Sequence, residues 1–135
     1  MKKLDLRKAA EEFEMIGEHT HLFYNPETGE FDFYIEFSDI EDAADPETFE
    51  RAPWIAAPDQ WELNGYRIMT DFAGAVTDPR KNELLCVALN GKGPFRRFKD
   101  VVRGVDLLDE WHAFKRAAYI EIARDWAEAN GIEAE

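Results

Sequence analysis

Between Lys92 and Arg103 the chain reads Lys-Gly-Pro-Phe-Arg-Arg-Phe-Lys-Asp-Val-Val-Arg, the stretch richest in cations able to meet a phosphate. At about 100° per residue, Phe95, Phe98, Val102 and Val105 share one helical face, with Arg96, Lys99 and Arg103 clustered on the opposite one. A helix starting at Pro94 behind two glycines leaves backbone N–H groups and a positive dipole end free for an anion. Lys92, Arg96, Arg97, Lys99 and Arg103 are therefore a candidate anion or nucleic-acid contact. The competing reading, favoured here, is a solvated cationic face that pairs with acidic side chains of the same chain. Gly91-Lys92-Gly93 lacks P-loop spacing and follows a predicted helix instead of a strand, so no nucleotide cofactor is assigned.

Other residues with chemical potential are fewer. His19 and His21, two apart on a predicted strand, project from one face with Glu36 opposite His19, a set able to ligate a transition metal. The spacing is a weak signal, and no metal is assigned. Asp39, Glu41, Asp42 and Asp45 lack the ligand spacing and central glycine of an EF-hand loop. Ser38 is the one serine and has no nucleophile elbow around it, and Cys86 falls in an apolar run where a thiol is expected to be a small buried hydrophobe. His112 is expected to pack beside an apolar stripe. No catalytic motif emerges, and the chain is read as a non-enzyme.

Charge is the stronger signal. Of a net charge of -13, the excess lies almost wholly in residues 9–66, which hold sixteen acidic residues and one basic, Arg51. Phosphate would be repelled there, whereas a basic protein would be steered in. Asp39, Glu41 and Asp42, with Trp54 and Trp61 flanking Pro58 nearby, are the candidate partner-binding residues. Trp111 and Trp126 sit on a helical stripe and are assigned to the core.

The elements that must position these residues follow from periodicity. A helix is expected from Leu4 to Ile16, ended by Gly17. Phe31, Phe33, Ile35 and Phe37 alternate with polar residues as in a strand with one buried face. It pairs with Thr20–Tyr24 through the loop Pro26-Glu27-Thr28-Gly29, setting Asn25 opposite Glu30, Tyr24 opposite Phe31 and Leu22 opposite Phe33. Trp54–Ala57 is a candidate third strand, and Asp45-Pro46 starts a short helical turn. Asp59 and Glu62 form a capping box for a helix reaching Val76. Asp78-Pro79 opens a helix to Asn90 that the apolar run Leu84–Leu89 marks as central. Pro94 starts the basic helix. Asp106 and Asp109 cap the longest helix, with Leu108, Trp111, Phe114, Ala118, Ile122 and Trp126 on one stripe and Gly131 beyond its end.

The 135 residues, 45% hydrophobic and 13% aromatic, suffice for one compact core, and residues 1–135 are read as a single domain. The fold class is α+β: an N-terminal helix, a two- or three-stranded antiparallel sheet and a C-terminal group of about four helices. One cysteine cannot form an internal disulfide, no run approaches the ~18 apolar residues of a membrane span, and Met1 to Glu12 lacks the apolar stretch of a signal peptide. A cytoplasmic protein, monomer or homodimer, is expected.

Phe23-Tyr24-Asn25-Pro26-Glu27-Thr28-Gly29-Glu30, Asn64-Gly65-Tyr66-Arg67-Ile68-Met69 with Asp71-Phe72, and Leu89-Asn90-Gly91-Lys92-Gly93-Pro94-Phe95-Arg96-Arg97-Phe98-Lys99-Asp100 together resemble a known family, as do Glu110-Trp111, Ile122-Ala123, Trp126 and Asn130-Gly131-Ile132. This is the bacterial uncharacterised protein family carrying a Gly-(Lys/Arg)-Gly-x-Phe-Arg-Arg-Phe-Lys-Asp signature. The likeness runs from about residue 20 onward and departs at Arg103-Gly104-Val105-Asp106. It implies a bacterial cytoplasmic setting and no established activity.

Overall fold

A computed structural model describes residues 3–36 and 46–135. Its order of elements is α1 (Leu6–Phe13), β1 (Thr20–Asn25), β2 (Glu30–Ile35), a 3₁₀ turn (Pro46–Glu50), β3 (Ile55–Ala56), α2 (Gln60–Leu63), α3 (Gly65–Ala75), α4 (Pro79–Leu89), α5 (Pro94–Gly104) and α6 (Leu108–Ala129). The fold is α+β, with the N-terminal helix, a three-stranded antiparallel sheet and the C-terminal helices expected from the pattern. The chain divides into two compact units, one holding the described residues of Met1–Leu63 together with Tyr119–Glu135, the other Asn64–Ala118.

In the first unit, Asp5 caps α1 by accepting from Arg7 N–H at 3.0 Å, and Leu6, Ala9, Ala10 and Phe13 turn its buried stripe inward. The helix is shorter than Leu4–Ile16 because Leu4 is taken by backbone pairing. Its N–H donates to Glu133 C=O at 2.8 Å, and its C=O accepts from Glu135 N–H at 2.9 Å. At the other end, Met15 and Ile16 N–H groups donate three residues back, which tightens the last turn before Gly17. The sheet order is β2-β1-β3, and the β1–β2 register is the expected one, Tyr24 opposite Phe31 and Leu22 opposite Phe33. Gly29 takes φ 76° to close the loop. Phe13, Tyr24, Phe31 and Trp126 form the aromatic core, with Tyr24 and Phe31 rings 4.8 Å apart, and Trp126 Nε1–H donates to Ala56 C=O at 2.9 Å.

The β2 face is not uniformly buried, contrary to the alternation. Phe33 and Ile35 are each 41% exposed, because period two fixes the face of a side chain and not what covers it. Phe37 lies outside the described residues, as do Ser38 and Asp45.

In the second unit, the helix expected over 59–76 is broken at Asn64, which adopts φ 49° and caps α3 through Oδ1 to Arg67 N–H at 3.2 Å. Asp78 accepts from Arg80 and Lys81 N–H at 3.0 Å each, with Pro79 in the first turn, as the sequence indicates. Phe72, Phe98 and Trp111 form the core, Phe98 and Trp111 rings lying 4.9 Å apart. Within the Leu84–Leu89 run, Leu85, Ala88 and Leu89 are buried, but Cys86 and Val87 are exposed. The run spans more than a full turn, so part of it must face outward. Asp106, at φ 61°, precedes α6 with Leu107 between them and is not within its first turn.

Candidate functional site

Among the described residues, the acidic region carries its most accessible aromatic side chain on a helix of one turn. α2 is too short to persist by propagation, so its ends decide it. Asp59 N–H donates to Glu62 Oε1 at 3.1 Å while Glu62 N–H donates to Asp59 Oδ1 at 2.8 Å, the reciprocal cap expected from the spacing. This cap presents Trp61 at 80% exposure. Trp54 is placed differently: half-buried, its ring meets Phe49 edge-on at 5.0 Å and helps seat the 3₁₀ turn. Asp39, Glu41 and Asp42 lie outside the described residues.

The outer face of the sheet holds a row of rings. His21 stacks on Tyr34 at 4.7 Å and Phe23 on Phe49 at 4.4 Å, with Phe23 and Tyr34 5.9 Å apart. His21 Nε2 lies 2.5 Å from Glu36 Oε1, and His19 Nδ1 lies 3.8 Å from Glu36 Oε2, so both histidines do share a face with that carboxylate. Among the described residues, no group of three or more His, Cys, Asp and Glu side chains is arranged to hold a metal ion.

The basic segment folds as α5, and its five cations separate into two sets. Lys92, Arg96, Lys99 and Arg103 are solvent-exposed. Arg97, also exposed, turns back on α4, where Nη1 donates to Asn90 C=O at 3.2 Å and Nη2 to Val87 C=O at 3.5 Å. It thereby satisfies the Asn90 carbonyl past the end of α4 and adds a second donor to Val87 C=O, which already accepts from Asn90 N–H at 3.2 Å. Gly91 makes room: at φ 124°, an added Cβ would stand 2.6 Å from Arg97 Nη1. Phe95, expected to face inward, is 53% exposed and lies along Gly65, whose added Cβ would sit 3.4 Å from the Phe95 ring. Tyr66, 43% exposed, anchors the same corner by donating its hydroxyl to Leu89 C=O at 3.1 Å. The exposed cations are the sequence-legible part of this surface; the exposure of Phe95 and the turn of Arg97 toward α4 are not.

A cleft of about 590 Å³ lies in the same unit where α3 ends and α4 and α6 begin. Phe72, Val76, Leu107 and Phe114 line it, with Lys81 and Glu110 among its polar residues. Its walls come from two segments, 72–81 and 107–114, that are distant in the chain, which is why no local motif announces it. Among the described residues, no helix is long and apolar enough to cross a membrane.

No family model matches the chain, and no solved structure matches it. A UPF0158 protein of Pseudomonas aeruginosa is 33% identical over 67 residues, a match covering 49% of this chain and 44% of that protein. The chain is thus similar to less than half the length of this relative, whose name assigns no activity. The likeness accords with an uncharacterised bacterial family and carries no catalytic function to this chain.

Proposed function

We propose that the chain is a non-enzymatic protein-interaction or regulatory module, a single cytoplasmic domain whose acidic first half receives a basic protein partner. The observation that carries this reading is Trp61, 80% exposed on a firmly capped turn, in a stretch where sixteen acidic residues meet one basic. A large exposed indole can bury much apolar area on docking, while surrounding like charge accelerates approach of an oppositely charged surface. Asp39, Glu41 and Asp42 supply charge to the same partner, and Trp54 contributes its uncovered edge. The test is capture on the tagged chain from a lysate of its own organism, split into nuclease-treated and untreated halves. Protein partners that persist after nuclease support the reading; recovery of nucleic acid, lost with its bound proteins on treatment, overturns it.

A second reading is favoured by one observation in the other unit. Phe95 is exposed on the helix that carries the exposed Arg96, Lys99 and Arg103, with exposed Lys92 just before it, and surfaces that stack bases and neutralise phosphates combine such rings and cations. With Arg97 committed to α4, four cations remain for phosphate contact. Full engagement of single strands by four cations gives a log–log salt slope of about -2.8. Arg96→Glu with Lys99→Glu abolishes that binding if this surface carries it, and leaves it intact if it does not.

A further inference from the structure

β2 stands at one end of the order β2-β1-β3, and among the described residues no strand pairs with its outer side. Glu36 N–H donates to His19 C=O at 2.8 Å, one step beyond the pair Thr20 opposite Ile35. Bonded pairs alternate along an antiparallel ladder, so Tyr34, Asp32 and Glu30 also bond to β1, and the backbone groups of Phe31, Phe33 and Ile35 face away from it. The Phe33 N–H agrees: it donates to Asp32 Oδ1 at 2.8 Å.

The side chains of this edge are divided by chemistry. On one face Phe33 and Ile35, each 41% exposed, stand near Met15, 66% exposed, and these three share a groove of about 180 Å³ with Leu22. On the other face are the exposed carboxylates of Glu30 and Asp32, with Glu36 beyond them already shared by His19 and His21. A second copy of β2 docked on this edge would set acidic strands side by side, where like charges opposite one another are destabilising. An extended segment of alternating apolar and basic residues meets both faces at once.

We infer that the outer edge of β2 takes up an extended basic segment of a protein partner as a fourth strand, its apolar side chains beside Phe33 and Ile35 and its lysine or arginine side chains beside Glu30 and Asp32. This rests on the proposed acidic partner surface and names how a partner is held. Main-chain hydrogen bonds then supply affinity, and alternate side chains supply selectivity.

The probe is a fluorescein-labelled decapeptide of alternating lysine and valine, titrated by anisotropy against the full chain. Two further versions are N-methylated, one at every valine and one at every lysine, and a fourth replaces lysine with glutamate. The unmodified peptide is expected to bind, one N-methylated version to weaken by about tenfold or more, and the glutamate version not to bind. Phe33→Ser with Ile35→Ser weakens binding by about tenfold, and Glu30→Lys, at an exposed position, weakens it without touching the groove. Absence of lysine–valine binding, or equal binding by both N-methylated versions, overturns the edge site. Binding that ignores N-methylation but is lost in Trp61→Ala removes the edge and leaves the acidic partner surface standing. A chain that also captures no nuclease-resistant protein partner fails the broader reading.

Discussion

Arg97 and Arg96 are adjacent in sequence and opposite in purpose. The planar guanidinium of Arg97 reaches two carbonyls at the end of α4, a fork geometry that lysine's point charge does not reproduce. Arg97→Ala is expected to cost about 1 kcal/mol of stability by chemical denaturation, with Arg97→Lys recovering only part, while Arg96→Ala and Lys99→Ala stay within about 0.5 kcal/mol. Gly91→Ala strains the same corner twice, through φ 124° and through the Arg97 side chain, and is expected to cost about 1–3 kcal/mol. Equal stability of Arg97→Ala and Arg96→Ala would leave Arg97 without a structural role at the end of α4. The glycines were readable as a helix break, and the cations as a charged face. Helical angles alone could not tell which of two neighbouring arginines reaches backward.

At the scale of elements, local signals were sufficient wherever a break or a pairing depends on a few adjacent residues. Pro26 and Gly29 fixed the hairpin register, Asp78-Pro79 fixed the start of α4, and Asp59 with Glu62 fixed α2. Apolar periodicity ran unbroken across Asn64, however, and hid the division between α2 and α3. The residue occupies the left-handed region at φ 49° and caps α3, a combination asparagine tolerates better than other side chains. Asn64→Ala is therefore expected to lose about 1–2 kcal/mol, with Asn64→Gly losing less, measured by denaturant midpoint. The exposure of Phe33, Ile35 and Phe95 was not legible either, since periodicity groups side chains by face without showing what packs above them. Of the candidate partner residues, Trp61 is 80% exposed, whereas Trp54 is half-buried against Phe49.

Across the whole molecule, charge and buried tyrosines set the response to solution conditions. Burial raises the pKa of Tyr24 above the usual 10.0, and burial with the nearby negative charge of Glu14 does the same for Tyr119. Above pH 10 the unfolded chain releases these protons more readily than the folded one, so it binds fewer protons and stability falls as pH rises. The contribution is whole below pH 10 and is lost as pH climbs through the raised folded values, a decline that Tyr24→Phe with Tyr119→Phe flattens in melts run from pH 8 to 11. Tyr24→Phe also removes a buried hydroxyl with no hydrogen-bond partner among the described residues, so the variant is expected to be no less stable at neutral pH. An unchanged alkaline decline in the double variant would place its origin elsewhere.

The most direct measurement is capture from nuclease-treated lysate on three forms of the chain side by side: wild type, Trp61→Ala, and Arg96→Glu with Lys99→Glu. Trp61 is 80% exposed, so its truncation leaves the fold intact while removing about 2 kcal/mol or more of docking energy. A basic partner retained by the wild type and the charge-reversed form, and lost from Trp61→Ala, is the predicted result. A partner held equally by Trp61→Ala and lost on reversal of Arg96 and Lys99 would contradict it and move recognition to α5.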